Sequence, residues 1–200
     1  MRRGGIGLGT LYFITGGVRS GKSSFAEKWA IEKKKSNVPL VYLACGVNTD
    51  REMEQRILKH QQDRQASAVE WTTIECPNSI ERIINQIPQH SVVLLDCLTT
   101  LLTNEMYGSH EEKDQYIEEK IYQSIVQLLN KVDVLFLVSN ELVSDLPIDS
   151  KDILTFQKRL GALHIRMVKK ACVAIEMTAG IPVVKKRGPN EEGRFPHDPI

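Results

Sequence analysis

The chain has 200 residues, of which 42% are hydrophobic and 26% charged, and its 26 lysines and arginines against 25 aspartates and glutamates give a formal net charge of +1. These values are typical of one folded α/β domain and exclude a disordered chain, a collagen-like rod and a coiled coil. The near-zero charge gives no support for nucleic-acid or anionic-membrane binding, and no apolar run approaches the roughly 20 residues of a transmembrane helix.

Short apolar runs alternate with longer amphipathic stretches along the chain. Runs that are apolar on both faces predict buried parallel strands, namely Leu11–Thr15, Leu40–Ala44, Val92–Asp96 and Val132–Ser139. The amphipathic stretches predict helices, namely Lys22–Lys35, Arg51–Gln65, Ser79–Ile87, Asp114–Asn130 and Asp152–Lys170. Two further runs, Val173–Met177 and Ile181–Lys185, predict an antiparallel hairpin, and Val69–Ile74 is another candidate strand.

This alternation of strands and helices implies right-handed βαβ crossovers. We therefore expect a three-layer α/β sandwich whose sheet is mostly parallel and ends in a C-terminal antiparallel hairpin. No repeat and no linker rich in proline or serine divides the chain, so a single domain is expected over residues 11–186. Residues 1–10 are expected to form a flexible tail, and residues 187–200 a loose one.

The segment after the first predicted strand matches the phosphate-binding pattern GxxxxGK[ST]. Its residues are Gly16, Gly17, Val18, Arg19, Ser20, Gly21, Lys22 and Ser23. Glycines let the backbone wrap phosphates with its N–H groups, and the following helix N-terminus adds partial positive charge. Lys22 is expected to reach the β- and γ-phosphates, and the Ser23 hydroxyl to bind Mg²⁺. The pattern predicts a nucleoside triphosphate site; the alternative is a glycine turn that only starts a helix.

A second candidate magnesium ligand, Asp96, ends the strand Val92–Asp96. Four apolar residues before a terminal acid are typical of the strand that organises magnesium in phosphate-loop enzymes. Acids at strand ends also occur without such a role, so this assignment depends on the phosphate loop. The nearby Thr99–Thr100 pair suits either a helix cap or a phosphate contact, and the pattern favours neither.

A polar stripe is predicted on the helix that follows the second strand. Thr49 and Glu52 have capping-box spacing, and Glu52, Arg56, His60 and Arg64 recur every four residues, which places them on one face. Such a stripe is often only a solvated, ion-paired surface. Here the helix leaves the carboxyl end of a strand, where open α/β sheets bind ligands. Two arginines would neutralise phosphate oxygens, and a neutral imidazole between them is able to attack an α-phosphorus.

These segments resemble the bifunctional adenosylcobinamide kinase/adenosylcobinamide-phosphate guanylyltransferase family of cobalamin biosynthesis. The matching segments are TGGVRSGKS (15–23), DREMEQRILKHQQDR (50–64), WTTIECP (71–77), LLDCLTTLLTN (94–104), VSNE (138–141) and GIPVVKK (180–186). The resemblance implies a RecA-like fold and a homotrimer. It also implies two reactions: phosphorylation of the corrinoid aminopropanol hydroxyl from ATP or GTP, and transfer of GMP from GTP through a guanylylated histidine.

The resemblance assigns roles to individual residues of this chain. It implies that His60 is the guanylylated residue and that residues 16–23 hold the nucleotide phosphates. Further nucleotide contacts are expected from Ala44, Cys45, Gly46, Gln61, Gln62, Asp63, Arg64, Glu75 and Asp96, together with Arg56 of the polar stripe. The chain departs from the family pattern after Glu141 and again over Phe156–Ile165.

Two other functions stay open at this stage. One is a small-molecule kinase in which His60 is incidental, and the other is a non-catalytic GTP-dependent switch or assembly protein. The remaining histidines, His90, His110, His164 and His197, are expected to be surface or packing residues, and Trp29 and Trp71 core residues. The four widely spaced cysteines, Cys45, Cys76, Cys97 and Cys172, form no CxxC pair, which is typical of reduced thiols in a cytoplasmic protein.

Overall fold

The computed structural model of the protein describes residues 8–46, 69–108, 116–141, 151–189 and 196. The described strands are β1 (Thr10–Gly16), β2 (Leu40–Ala44), β3 (Thr72–Glu75), β4 (Val92–Asp96), β5 (Val134–Val138), β6 (Val173–Thr178) and β7 (Ile181–Arg187). The described α-helices are α1 (Lys22–Lys33), α2 (Ile80–Ile83), α3 (Leu98–Tyr107), α4 (Ile117–Leu129) and α5 (Lys151–Lys170), with a 3₁₀ turn at Ile84–Gln86.

The strands form one sheet in the order β3-β2-β4-β5-β1-β6-β7. All neighbouring pairs are parallel except β6 and β7, which pair antiparallel. The expected mostly parallel α/β sheet with a C-terminal hairpin is therefore confirmed. Strand β5 lies between β4 and β1, so its carboxyl end lies between the carboxyl ends of those two parallel strands.

Two apolar clusters cover the two faces of the sheet and make the expected three layers. One cluster joins Phe13 and its neighbours on the same face to the buried side chains of α3, α4 and α5. The other joins Tyr12 and Phe136 to α1. Trp29 of α1 is 2% exposed and lies with its ring centroid 4.6 Å from that of Tyr12 and 5.4 Å from that of Phe136. Trp29 is thus the core residue that the sequence predicts.

The buried faces of the helices follow from helical spacing. In α3, Leu98, Leu101 and Leu102 are fully buried on one stripe, and the burial of each side chain stabilises the folded state by about 2 kcal/mol. In α5, Leu160, Leu163 and Met167 repeat that pattern, whereas the first turns of α5 remain exposed. These stripes fix both helices against the same face of the sheet.

The predicted element bounds differ from the observed ones in a few places. The predicted helix Ser79–Ile87 is only one α-helical turn followed by a 3₁₀ turn, and β5 begins at Val134 rather than at residue 132. Helix α3 follows β4 almost directly and is missing from the prediction. The predicted helix Arg51–Gln65 lies outside the described residues, as do most of the two predicted tails. No described helix is long and apolar enough to cross a membrane.

Candidate functional site

The phosphate-loop backbone is shaped by two glycines. Gly16 has φ 153° and Gly21, which precedes α1, has φ 85°. A Cβ atom on Gly16 would lie 2.5 Å from the backbone oxygen of Met177 and 2.7 Å from Oγ of Ser20, so only glycine fits there. The Gly180 N–H donates to the Ser20 carbonyl at 3.1 Å, which ties the loop to the hairpin turn between β6 and β7.

Lys22 folds back across the loop that it follows. Its side chain is nearly buried, and Nζ donates to the Gly17 carbonyl at 3.0 Å. The ammonium therefore lies against the loop backbone, where an entering phosphate would meet it. Of the remaining loop residues, Val18 and Arg19 are exposed, and Ser23 is half-buried in the first turn of α1.

One loop hydroxyl is buried without a protein partner. Oγ of Ser20 has no hydrogen-bond partner among the described residues, and neither does Oγ1 of Thr15 just before the loop. A buried hydroxyl without a partner costs free energy, about 1–3 kcal/mol. The loop thus keeps a polar group that a bound phosphate oxygen is able to satisfy.

Asp96 ends β4 at the same edge of the sheet as the loop. Its strand pairs with β5 in the register Asp96 with Val138, and β5 pairs with β1 in the register Val138 with Ile14. Two strand spacings, about 10 Å, therefore separate the backbones of Asp96 and Ile14. The Tyr42 hydroxyl donates to Oδ2 of Asp96 at 2.9 Å and holds the carboxylate in one orientation.

Asp96 and Ser23 are oxygen donors of the kind that magnesium prefers. Mg²⁺ is usually held by one or two carboxylates together with substrate phosphates rather than by a full protein cage. Among residues 8–46, 69–108, 116–141 and 151–189, no group of three or more histidine, cysteine, aspartate or glutamate side chains is placed to hold a metal ion. A single carboxylate beside a phosphate loop fits a magnesium ion that arrives with its nucleotide.

The carboxyl ends of β2 and β3 bring further predicted contacts to this edge. Ala44 pairs with Asp96 on one side and with Glu75 on the other, and Glu75 is exposed. Cys45 is fully buried, its N–H donates to the Asp96 carbonyl at 2.9 Å, and Gly46 follows it at the edge. Burial raises the pKa of the Cys45 thiol well above its usual value, so this side chain is a neutral packing group.

Asn104 of α3 binds the backbone that follows β2 and the backbone that follows β3; the segment 47–68, between these two strands in sequence, lies outside the described residues. Its Nδ2 donates to the Cys45 carbonyl at 2.9 Å and to the Pro77 carbonyl at 2.8 Å. One side chain thus joins the chain where it leaves β2 to the chain where it leaves β3. The sequence offers only its place in the family segment as a signal for this role.

The remaining predicted site residues lie in that segment, outside the described residues: Arg56, His60, Gln61, Gln62, Asp63 and Arg64. Their proposed roles stay predictions. The described residues that the sequence places in the site, from Gly16 to Ser23, from Ala44 to Gly46, Glu75 and Asp96, all lie at the carboxyl edge of the sheet.

Thr99 does not cap a helix, which is one of the two roles that its position suggests. Helix α3 begins at Leu98, and Oγ1 of Thr99 accepts a hydrogen bond from the Asn140 N–H at 2.8 Å. The same atom lies 3.0 Å from Oγ of Ser139. His164, expected at the surface or in packing, is half-buried against Phe13 with ring centroids 5.2 Å apart, and it also contacts Ser139.

The chain matches a known family over most of its length. A family model described as cobinamide kinase / cobinamide phosphate guanyltransferase matches residues 12–185. The bifunctional adenosylcobalamin biosynthesis protein CobP of Pseudomonas aeruginosa is 30% identical over 179 residues, which are 88% of this chain and 97% of that protein. The corresponding CobU protein of Escherichia coli is 36% identical over 121 residues, but that match spans only 60% of this chain and 62% of the Escherichia coli protein.

Solved structures with little sequence identity share the fold. The KaiC-like protein of Pyrococcus horikoshii has a TM-score of 0.51 at 13% identity, covering 92% of this chain and 82% of that one. The flagellar accessory protein FlaH of Methanocaldococcus jannaschii has a TM-score of 0.50 at 15% identity, covering 93% and 82%. These likenesses confirm the expected RecA-like fold class, and at this level of identity they show the fold alone.

Proposed function

Because the chain belongs to the cobinamide kinase / cobinamide phosphate guanyltransferase family, we propose that it catalyses both reactions of that name on a corrinoid substrate. It would first phosphorylate the aminopropanol hydroxyl of adenosylcobinamide and then transfer GMP from GTP to the new phosphate. The observation that carries this proposal is the phosphate loop beside Asp96, at one sheet edge, within a family match to residues 12–185.

In the phosphoryl-transfer step, the loop residues would bind and orient the triphosphate. Backbone N–H groups of residues 16–22 and the N-terminus of α1 favour phosphate oxygens, and the Lys22 ammonium would leave the Gly17 carbonyl for the β- and γ-phosphates. Ser23 and Asp96 would hold the magnesium ion, which supplies positive charge to the transferring group. The substrate hydroxyl oxygen bonds to the γ-phosphorus, the bond to the bridging oxygen breaks, and the hydroxyl proton is released.

In the guanylyl-transfer step, His60 would be the nucleophile. A ring nitrogen bonds to the α-phosphorus, and pyrophosphate leaves as the bond to its bridging oxygen breaks. An oxygen of the corrinoid phosphate then attacks the same phosphorus and the P–N bond breaks, which releases adenosylcobinamide-GDP and regenerates the unmodified His60 ring. Arg56 and Arg64 would offset the charge on the phosphates. Asn104 holds the Cys45 carbonyl, where the chain leaves β2 towards His60, and this contact supports placing the segment at the nucleotide edge.

We also propose that the protein acts as a homo-oligomer, a trimer by the family resemblance. The exposed apolar residues Ile181, Val183 and Val184 of the edge strand β7 support a contact between copies. Light scattering of the purified protein at several concentrations measures the assembly. A trimer mass that persists on dilution is expected, and a monomer mass throughout would contradict the proposal.

The two reactions are tested together with GTP labelled at either the α- or the γ-phosphate. With adenosylcobinamide present the wild type is expected to transfer the γ-label to it, and without a corrinoid it is expected to retain the α-label on the protein. His60→Ala should lose the retained α-label but keep the transfer of γ-label. The matched control is His90→Ala, because His90 is exposed and pairs with Asp133 at the opposite edge of the sheet, with Nδ1 2.9 Å from Oδ1.

The rival functions give different results in the same assay. A kinase without guanylyl transfer would move the γ-label but leave no α-label on the wild-type protein. A GTP-dependent switch would bind GTP and transfer neither label to a corrinoid. Retention of the α-label by His60→Ala would show that another residue is the nucleophile.

A further inference from the structure

A chain of hydrogen bonds runs from the end of β5 to the middle of α5. The Asn140 N–H donates to Oγ1 of Thr99 at 2.8 Å, and Oγ1 of Thr99 lies 3.0 Å from Oγ of Ser139. Oγ of Ser139 in turn lies 2.7 Å from Nε2 of His164. Four groups from three different elements or their ends are thus joined in one line.

The middle of this hydrogen-bond chain, at Ser139 and Thr99, is buried, and His164 at its end is half-buried. Ser139 is 0% exposed and Thr99 is 4% exposed, which leaves water no access to replace a lost partner. Burial lowers the pKa of His164 to about 4, so its ring is neutral near neutral pH. A neutral ring has one nitrogen that accepts, and with Nε2 in that role Ser139 donates to His164 while Thr99 donates to Ser139. Every hydroxyl proton then has a partner.

The far end of the chain lies beside the phosphate loop. The Glu141 N–H donates to the Gly16 carbonyl at 3.0 Å, and the Ser139 N–H donates to the Ile14 carbonyl at 2.9 Å. Because β5 lies between β4 and β1, Asn140 occupies the gap between the strand end that carries Asp96 and the strand end that carries the loop. A terminal phosphate held by the loop and by a magnesium ion on Asp96 would face that gap.

We propose that His164 is a positioning residue that acts through Ser139 and Thr99 to fix Asn140 and Glu141 beside the phosphate loop, and thereby aligns the terminal phosphate for transfer. The inference rests on the proposed phosphoryl transfer for its catalytic consequence, but its structural part, the fixing of residues 139–141, does not depend on that reaction. His164 does not touch the substrate in this role. It determines where the backbone between Asp96 and Gly16 lies.

The test compares two substitutions of His164. Leucine fills the space but cannot accept a hydrogen bond, whereas the side-chain amide that His164→Gln introduces is able to reach Ser139. His164→Leu is expected to lower kcat for phosphoryl transfer about tenfold, with KM for GTP changed less than about threefold, because alignment rather than binding is lost. His164→Gln should restore kcat to within about threefold of wild type.

A second measurement does not depend on turnover. Hydrogen exchange of the Asn140 and Glu141 amides in the intact protein is expected to become at least about tenfold faster in His164→Leu and to stay near the wild-type rate in His164→Gln. If His164→Leu does not fold, Thr99→Val breaks the same chain from the other side, with Thr99→Ser as its matched control. The same ratios are then expected for that pair.

The outcomes separate this inference from the proposed function. Wild-type protein without phosphoryl transfer overturns the proposed function, while faster Asn140 exchange in His164→Leu still supports the positioning. Equal kcat and equal exchange in wild type and His164→Leu overturn the positioning. So does a loss of kcat of the same size in His164→Leu and His164→Gln, because that result shows a packing role without the hydrogen bond.

Discussion

Replacing His164 should change how the stability of the protein depends on pH. The pKa of this histidine falls from 6.5 to about 4 in the folded protein, and burial of the ring is the cause. Between these two values the unfolded chain binds a proton that the folded chain excludes. The stability that the neutral His164 ring contributes to the folded state is therefore fully present above pH 6.5 and is lost as the pH falls towards 4.

The size of the effect follows from the shift. One bound proton changes the free energy of unfolding by about 1.4 kcal/mol per pH unit. As the pH falls from 6.5 to about 4, the free energy of unfolding of the wild type should decrease by about 3 kcal/mol more than that of His164→Gln, because glutamine does not titrate. The variant can be less stable than the wild type at neutral pH and still show the flatter dependence.

The assay is urea unfolding of both proteins at several pH values in this window. His90→Gln is the matched control for the loss of a histidine, since the His90 side chain is 80% exposed whereas His164 is half-buried. A parallel loss of stability by the wild type and His164→Gln on acidification would refute a lowered His164 pKa as the cause. That cause is also refuted if His90→Gln alone flattens the curve.

Two further substitutions test the architecture of the site. Asn104→Leu leaves the carbonyls of Cys45 and Pro77 without their donor, so we expect a loss of about 2 kcal/mol in urea unfolding and a larger fall in retained α-label than in transfer of γ-label. Its control Thr103→Val changes an exposed residue whose hydroxyl donates only within its own helix, to the Thr99 carbonyl, and should change stability by less than about 0.5 kcal/mol. Equal stability of the two variants would contradict the role of Asn104. Gly16→Ala places a Cβ atom 2.5 Å from the Met177 backbone oxygen and should lower the free energy of unfolding by about 3 kcal/mol. At Gly17 an added Cβ atom meets nothing within 4 Å, so Gly17→Ala should lower it by less than about 1 kcal/mol, and thermal unfolding of both variants measures the difference. Similar melting temperatures for these two variants would show that the loop yields more easily than its contacts indicate.

The strands and the phosphate loop were predictable because their signals are local. Leu40–Ala44 and Val92–Asp96 are apolar on both faces, which only a covered parallel strand tolerates, and both match the observed bounds. The loop pattern requires glycines at positions whose backbone has a positive φ angle, and Gly16 and Gly21 both have one. Helix α3 was missed because it follows β4 almost directly and has two threonines, which are weak helix formers, in its first turn.

The sequence could not predict the contacts that join distant elements. Asn104 contacts Cys45, 59 residues away, and His164 contacts Ser139, 25 residues away. Neither pair has a fixed spacing from which to read the contact. The place of β5 between β4 and β1 is likewise a property of strand order, and it decides that Asn140 lies between Asp96 and the loop. Site residues carried by a motif were accessible to sequence reasoning, whereas those that hold the motif in place were not.

The guanylyl-histidine is tested most directly by finding where GMP is attached. Wild-type protein is mixed with GTP, the reaction is quenched in alkali, the protein is digested, and the masses of its peptides are measured by mass spectrometry. We expect one guanylyl group on the peptide that contains His60, stable in alkali and lost in acid as expected for a P–N bond. A guanylyl group on any other peptide, or an acid-stable adduct, would contradict this expectation.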